Sequence, residues 1–253
     1  MKAVVLAGGK GTRLAPYTHI LPKPLLPIGD MPILEILLRQ MKKAGVDEVF
    51  LTVGHLAHLL CTFFQNGKRF GLKITYSNED HPLGTAGPLS LLHGLDDTFL
   101  VTNGDVLTTL DLRTLINYHH SYNAVATIAS HSRTVKVDLG VIQKNERNEI
   151  VGYIEKPAYD FCVSMGIYVF EPRVLDYIDY AQFLDFPDLV IKLIRAGETV
   201  MSFPFDGYWM DLGRIIDYEQ AVQDFEKIRP QILGETVPGT SVPEALAAIV
   251  EQL

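Results

Sequence analysis

The sequence predicts an α/β domain of three layers, in which helices cover both faces of a mixed, mainly parallel central sheet. This prediction rests on the β-α-β-α-β alternation of apolar segments over residues 1–76, which is typical of parallel sheets buried on both faces. The first segment, 3–7, is a short Val-rich run and indicates a fully buried strand. A chain of 253 residues, 47% of them hydrophobic, is long enough to bury the core of such a domain.

The other elements follow from the spacing of apolar residues and from the glycines and prolines that end the segments. Further strands are predicted at 49–53, 72–76, 99–102, 124–129, 138–142, 150–154, 163–170 and 199–203. Helices are predicted from Pro32 to Gly45, at 56–64, from Thr85 through Leu92, after Asp111, at 186–196 and at 215–228. Beyond Pro230 the pattern weakens, and only a short apolar helix at 244–253 is predicted there.

The composition favours a cytoplasmic protein that has neither nucleic acid nor a membrane as a partner. The net charge is −8, whereas binding to nucleic acid calls for a basic face. No apolar run approaches the length of a membrane span, and no signal peptide precedes the first strand. Cys61 and Cys162 lie far apart and match no metal or redox spacing, so both are predicted to be thiols of the core.

A glycine-rich turn, Gly8–Leu14, follows the first strand. Because glycine has no Cβ, a ligand can approach the main chain there, and the exposed N–H groups can cradle an anion. Arg13 and Lys23 add two fixed positive charges. Pro22 and Pro24 restrict the backbone of Lys23, and we expect them to exclude helix and to hold this lysine on a stiff extended segment. The turn therefore predicts a site for more than one phosphoryl group.

Two common glycine motifs do not fit this turn. The dinucleotide-binding fingerprint needs a third glycine where this chain has Leu14, and the G-x-x-x-x-G-K-S/T loop occurs nowhere in the chain. The alternative without function is a tight connection between a strand and a helix that carries surface charges.

The segment Gly8–Thr18, followed by Pro22–Pro24, resembles the signature G-G-x-G-S/T-R-L-x-P-x-T … P-K-P of the sugar-1-phosphate nucleotidylyltransferases, without a gap. The resemblance covers about residues 1–228. It implies a Rossmann-like nucleotidyltransferase fold with a nucleotide-binding half at about 1–110 and a sugar-binding half at about 111–228. Residues 229–253 are then a C-terminal tail. Hexapeptide repeats are lacking, so the left-handed β-helix domain of some relatives is not expected.

The resemblance also implies a reaction, a cofactor and partners. The substrates are a nucleoside triphosphate (NTP) and a sugar 1-phosphate, the products are a nucleoside diphosphate (NDP)-sugar and pyrophosphate, and the cofactor is Mg²⁺. A homodimer is an open possibility. Two rivals are a non-catalytic subunit that binds a nucleotide sugar and a glycosyltransferase. The second is disfavoured because such enzymes use D-x-D, whereas this chain has Asn103-Gly104-Asp105.

Site residues are carried over position by position from the family pattern. The catalytic pair is Arg13 and Lys23. The nucleotide-binding set is Leu6, Ala7, Gly8, Gly9, Gly11, Thr12, Glu79, Leu83, Gly84 and Thr85. The sugar-phosphate set is Gly140, Glu155, Lys156, Ser164 and Gly166, where relatives usually have asparagine at the place of Ser164. The metal ligands are Asp105, after a predicted strand, and Asp211, within Trp209–Gly213.

Each of these assignments has a plainer alternative. Asp105 and Asp211 could cap a turn and a helix, Thr85 could simply start a helix, and Glu155 with Lys156 could be a surface ion pair.

The base preference is predicted from Glu79, which lies just ahead of Pro82–Thr85. A carboxylate only accepts hydrogen bonds, and guanine presents adjacent N1–H and N2–H donors, so the pattern favours GTP. By resemblance, mannose 1-phosphate is the expected sugar. Thymidylyl, uridylyl or cytidylyl transfer to glucose 1-phosphate or another sugar 1-phosphate stays open. Asp80 could take the place of Glu79, or Glu79 could be a solvated loop residue.

Overall fold

The computed structural model describes residues 1–79 and 81–234, so the predicted helix at 244–253 lies outside the described residues. The strands are β1 (Lys2–Ala7), β2 (Pro27–Ile28), β3 (Met31–Pro32), β4 (Glu48–Val53), β5 (Lys73–Asn78), β6 (Phe99–Asn103), β7 (Val106–Thr108), β8 (Ala126–Lys136), β9 (Val141–Lys144), β10 (Ile150–Ile154), β11 (Ala158–Phe170), β12 (Val200–Pro204) and β13 (Trp209–Asp211). The helices are α1 (Ile33–Lys43), α2 (Ala57–Phe64), α3 (Leu112–His120), α4 (Phe186–Arg195) and α5 (Ile215–Leu233).

Seven strands form the central sheet, in the order β12-β8-β11-β6-β1-β4-β5. The pairs β12–β8, β6–β1, β1–β4 and β4–β5 are parallel, whereas β11 is antiparallel to both of its neighbours. The prediction of a mixed, mainly parallel sheet is therefore confirmed. Strands from both halves of the chain belong to this one sheet, because β11 pairs with β6.

Helices cover both faces of the sheet. Consecutive residues of β1 point to opposite faces. Val5 packs in a core cluster with Leu37 of α1 and Leu115 of α3. Val4, on the other face, packs in a second cluster with Leu189 of α4. The three-layer α/β/α architecture is thus confirmed.

Helix α5 is longer than predicted. The prediction ends it near residue 228, but it continues through Pro230 to Leu233. Ile232 is buried in a third core cluster with Phe225 and with Ile36 of α1, so packing holds the last turn despite the proline. Gly234, with φ of 70°, ends the helix in the left-handed region that glycine tolerates.

The predicted helix from Thr85 through Leu92 is wrong in type and in its cap. The chain forms a short 3-10 helix at Gly87–Leu91. The Thr85 hydroxyl instead accepts the backbone N–H of Phe186 at 2.8 Å, at the start of α4. A local pattern cannot show this, because the partner lies 101 residues away along the chain.

A β-arm projects from the central sheet. Strands β8 and β11 continue as a pair to Lys136 and Ala158, and β9 and β10 form a separate two-stranded ladder between them. The sheets described for residues 1–79 and 81–234 are the seven-stranded sheet and two-stranded ladders, with no β-helix.

The two cysteines differ in their exposure. Cys61 is partly buried, but Cys162 is exposed on β11, so the prediction that both are core thiols is wrong for Cys162. Cys162 lies where β11 has left the covered sheet and entered the arm.

In the part of the chain that the structure describes, no helix is long and apolar enough to cross a membrane.

Candidate active site

A cleft of about 720 Å³ opens at the carboxyl ends of β1, β4 and β6. This is the edge of an open α/β sheet at which ligands bind. The predicted site residues that line the cleft are Leu6, Ala7, Gly8, Gly9, Gly11, Arg13, Lys23, Glu79, Gly84, Thr85 and Asp105. Leu83 is different, since its side chain is only 1% exposed and does not line the cleft. Thr12 is exposed at the start of a 3-10 turn, Thr12–Leu14.

Close packing explains two glycines of the phosphate loop, that is, of the turn Gly8–Leu14. Gly11 has φ of 61°, and a Cβ at this position would lie 2.9 Å from the Thr18 side chain. The Thr18 hydroxyl donates to the carbonyl of Gly11 at 2.9 Å and so fixes the turn. A Cβ on Gly8 would lie 3.0 Å from Oε1 of Glu79. The loop thus lies directly against Thr18 on one side and the Glu79 carboxylate on the other.

Lys23 lies between two carboxylates. Its ammonium contacts Oδ2 of Asp105 and is 3.8 Å from Oδ1 of Asp211. The Lys23 side chain is only 10% exposed, so its charge depends on these partners. Asp211 reaches this position because β13 pairs with β7, which places it opposite Val106, and because the Leu212 N–H donates to the Asp105 carbonyl at 3.3 Å.

The backbone at Lys23 differs from the prediction. Pro22 is extended, with φ of −63° and ψ of 142°, but Lys23–Leu25 forms a 3-10 turn. Pro24 does not prevent the turn, because an N–H in the first turn of a helix has no intrahelical partner to lose. The turn directs a buried Lys23 toward Asp105.

The surroundings of Asp211 disfavour the charge of its carboxylate. Burial raises the pKa of Asp211, and the charge of Asp105 raises it further, while Lys23 and Arg13 oppose the shift. A Cβ on Gly213 would lie 3.3 Å from both the Arg13 guanidinium and Oδ2 of Asp211, so this glycine lets the two groups approach. Among the described residues, Oδ1 of Asp105 is a buried polar atom without a hydrogen-bond partner.

These features fit a divalent cation. An orphaned carboxylate oxygen and a neighbouring carboxylate with a raised pKa would both be stabilised by positive charge. No group of three or more His, Cys, Asp or Glu residues within 1–79 and 81–234 could hold a metal by itself. Mg²⁺ is suited to such a site because it is usually held by one or two carboxylates together with phosphate oxygens and water.

Glu79 is a partly buried carboxylate on the cleft wall. Its Oε2 accepts the backbone N–H of Leu83 at 3.2 Å. Burial raises the pKa of Glu79, and the Leu83 N–H and His81 oppose this shift in part. Asp80, the alternative to Glu79, lies outside the described residues.

Two of the sugar-phosphate residues lie at the edge of the cleft. Gly166 has φ of 72°, and a Cβ there would lie 2.6 Å from Nδ2 of Asn103, which lines the cleft. Oγ of Ser164 accepts the Gly166 N–H at 3.3 Å and donates to the Tyr168 hydroxyl at 3.2 Å. The register of β11 shifts between Ser164 and Tyr168, and this bulge brings the segment to Asn103.

The other three lie on the arm and do not line the cleft. Gly140 belongs to the predicted sugar-phosphate set, but a Cβ there would fall 1.9 Å from the hydroxyl oxygen of Tyr153, so the tyrosine fills the space where a ligand would lie against this glycine. Glu155 and Lys156 are exposed, and Lys156 has φ of 44°. The structure therefore brings the phosphate loop, Lys23 and the carboxylates together, and leaves these arm residues apart from them.

Several cleft residues are not predicted from the sequence. They include Lys10, Thr52, Gly54, His55, Asn103 and Phe183. Asn103 could have been found, because it ends the same strand that precedes Asp105. Phe183 could not, since it comes from the second half of the chain and no motif surrounds it.

Comparisons with known proteins identify the family of this chain. The family model described as Nucleotidyl transferase matches residues 2–228. The chain is 38% identical to a UTP–glucose-1-phosphate uridylyltransferase of Synechocystis sp., over 96% of this chain and 67% of that protein. It is 36% identical to a mannose-1-phosphate guanyltransferase of Yarrowia lipolytica, over 86% of this chain and 62% of that protein. The chain thus spans about two thirds of the length of these relatives.

A solved structure shows the same fold. It is a Bacillus anthracis protein assigned provisionally as a glucose-1-phosphate thymidylyltransferase, with a TM-score of 0.72, 25% identity, and coverage of 88% of this chain and 94% of that one. The matched model spans nearly all of the described chain and includes the phosphate loop, Lys23 and both carboxylates. This chain belongs to the nucleotidyl transferase family.

Proposed function

We propose that this protein transfers a nucleotidyl group from an NTP to a sugar 1-phosphate, with release of pyrophosphate. The observation that carries the proposal is the position of Lys23, which is buried beside the phosphate loop and paired with Asp105 and Asp211. A buried lysine with two carboxylates at a phosphate loop suits chemistry on phosphoryl groups. The named activities of the relatives support the same reaction class.

In the proposed reaction, a phosphate oxygen of the sugar 1-phosphate attacks the α-phosphorus of the NTP in line. The new P–O bond forms as the bond from the α-phosphorus to the bridging oxygen breaks, and pyrophosphate leaves. The nucleophile is already an anion, so no general base is required, and catalysis consists of positioning and neutralisation of charge. Arg13 and the backbone of Gly8–Thr12 hold the triphosphate, and Lys23 neutralises charge at the reacting phosphates.

The remaining roles are carried over from the family pattern. Lys156 holds the incoming sugar phosphate, and Glu155 accepts sugar hydroxyl groups. Asp105 and Asp211 would hold Mg²⁺, which would supply positive charge to the phosphate oxygens. Glu155 and Lys156 lie on the arm, so both must approach the cleft to take these roles. Both side chains are exposed and are therefore free to contact a substrate.

For the nucleotide we propose GTP, because Glu79 presents a carboxylate to the cleft. For the sugar we propose mannose 1-phosphate, by resemblance to relatives such as the Yarrowia lipolytica protein. A second candidate pair is UTP and glucose 1-phosphate, which is favoured by the Synechocystis relative.

We further propose that the protein works in the cytoplasm. A homodimer is supported by exposed apolar side chains of the arm, such as Leu139 and Tyr153.

Pyrophosphate release tests the reaction directly. The full chain is incubated with Mg²⁺ and each of GTP, UTP, TTP, CTP and ATP, in combination with mannose 1-phosphate or glucose 1-phosphate. We expect release with GTP and mannose 1-phosphate in excess of every other pair. Release with UTP and glucose 1-phosphate instead would transfer the assignment to the second candidate. No release with any pair, together with binding of an NDP-sugar, would indicate a non-catalytic subunit.

Glu79→Gln is expected to lower kcat/KM for GTP by about ten- to a hundredfold and to spare UTP, since a mismatched buried polar contact carries a penalty of that scale. The control is Asp188→Asn, because Asp188 is exposed. Asp185 is unsuitable as a control, since its carboxylate accepts the backbone N–H of Thr85 in the loop that follows Glu79. Equal losses with every nucleotide would contradict the role of Glu79 in base preference.

The same variant has an expected pH signature in stability. Folding raises the pKa of Glu79 above its ordinary value of 4.5, so ionisation of Glu79 costs stability once the pH exceeds that ordinary value. At neutral pH, Glu79→Gln should therefore melt at the same temperature as the wild type or slightly higher. This difference should disappear as the pH falls below 4.5, where the carboxyl is neutral in both states.

Lys156→Ala is expected to raise KM for the sugar 1-phosphate by roughly tenfold and to leave KM for the NTP unchanged, because a charge-assisted phosphate contact is lost. The matched control is Lys144→Ala, an exposed lysine of the same arm. An unchanged KM for the sugar 1-phosphate would remove Lys156 from the site.

A further inference from the structure

Phe183 is an aromatic side chain on the wall of the cleft that the proposed chemistry does not use. It lines the cleft together with Gly8, Glu79 and Gly84. Its side chain is nevertheless 63% exposed. A large apolar ring that faces an open cleft, with so much of its surface uncovered, is a surface on which a ligand can pack.

The backbone that directly follows Phe183 is fixed to the nucleotide half of the chain. The Leu184 N–H donates to the carbonyl of Leu83 at 2.9 Å. The Leu184 carbonyl accepts two N–H groups in return, from Ala86 at 2.8 Å and from Gly87 at 3.0 Å. These three bonds join residues about 100 positions apart and hold Phe183 beside the loop 82–87.

Side chains add a second set of bonds. Oδ1 of Asp185 accepts the Thr85 N–H at 2.9 Å and the Thr85 hydroxyl at 3.1 Å, and the same hydroxyl accepts the Phe186 N–H at 2.8 Å. Gly84 allows this close approach, since a Cβ there would lie 2.6 Å from the Leu184 carbonyl. Phe183 is therefore exposed without being on a loosely held loop.

We propose that Phe183 is the platform on which the nucleobase stacks. This inference deepens the proposed function and rests on it for the identity of the ligand as a nucleotide. A ring whose backbone is already fixed loses little conformational freedom when a base packs on it. Every base has a π-face, so the platform strengthens binding of all nucleotides, while Glu79 on the same wall discriminates between them. The two roles are separable by mutation.

Calorimetric titration of the full chain with GTP and with UTP, in the absence of sugar, tests the platform. We expect Phe183→Ala to raise Kd about tenfold or more for both nucleotides, as for the loss of one base-stacking contact, and to leave KM for the sugar 1-phosphate unchanged. Tyr180→Ala is the matched control, because Tyr180 is 72% exposed on the same connection and does not line the cleft. Equal Kd values for Phe183→Ala and the wild type would overturn the inference, as would a rise confined to the KM of the sugar 1-phosphate.

Phe183→Trp provides a spectroscopic readout that does not need turnover. The chain has a single tryptophan, Trp209, so the wild type supplies the background signal. Stacking of a base should quench the fluorescence of the introduced ring when GTP or UTP is added, and an unquenched signal during saturable binding would overturn the platform. If the wild type binds nucleotide and Phe183→Ala weakens that binding, but no pyrophosphate is released, the proposed reaction fails and the platform stands. If the wild type binds no nucleotide, both fail.

Discussion

Replacement of Lys23 by alanine is expected to lower kcat/KM by about 100- to 1000-fold, the scale for loss of one preorganised charge at the transition state. The physical reason is that Lys23 is the buried ammonium beside the phosphate loop, in contact with Asp105. Pyrophosphate release at saturating Mg²⁺ measures the effect. Lys73→Ala is the control, since Lys73 is 70% exposed and pairs with Glu48 away from the cleft.

The structure also predicts a loss of stability in this variant. The sequence places Lys23 in the predicted catalytic pair. In the structure its ammonium compensates Asp105, whose side chain is 21% exposed, and removing one partner of a buried pair is destabilising. We therefore expect Lys23→Ala to melt at a lower temperature than the wild type without Mg²⁺, and Mg²⁺ to restore part of the difference but not the activity. Near-wild-type turnover by the Lys23→Ala variant would contradict the assignment of Lys23 to the reaction.

Asp105→Asn is expected to reduce kcat/KM by about 100-fold or more, since one change removes the charge that orients Lys23 and the carboxylate offered to Mg²⁺. The variant keeps the size of the side chain, but it leaves the buried Lys23 ammonium with Asp211 as its charged partner at 3.8 Å, so we expect a folded protein with a lower melting temperature. Binding of Mg²⁺ is followed without substrates, as the rise in melting temperature on its addition. That rise should be present in the wild type and lost in the variant.

Asp206→Asn, at an exposed carboxylate in the connection before β13, is the control for this experiment. EDTA should abolish the activity of the wild-type enzyme, and it should abolish the activity of the Asp206→Asn variant in the same way. Activity of the wild type that persists in EDTA would refute the metal assignment, whereas loss of activity in Asp105→Asn with intact Mg²⁺ binding would limit Asp105 to the orientation of Lys23.

The sequence is sufficient for features that adjacent residues determine. Strand β1 is an apolar run and α1 begins directly after Pro32, so both are predicted with nearly their observed bounds. The phosphate loop is also local, because Gly8–Arg13 are consecutive and their chemistry depends on glycine and charge more than on distant partners. The resemblance to the nucleotidylyltransferases extends this local knowledge to Asp105 and Asp211 as individual residues.

Only the tertiary structure decides how these residues meet. The pairing of β13 with β7 places Asp211 beside Asp105, and the buried turn at Lys23 inserts an ammonium between them. Thr85 was predicted to begin its own helix, yet it bonds the start of α4, and the same contact holds Phe183 at the cleft. Short-range patterns report which residues can form a strand, a turn or a helix. The bonds from Lys23 to Asp105 and from Phe186 to Thr85 join segments about 80 to 100 residues apart. No local pattern records them, because their geometry exists only after the sheet has assembled.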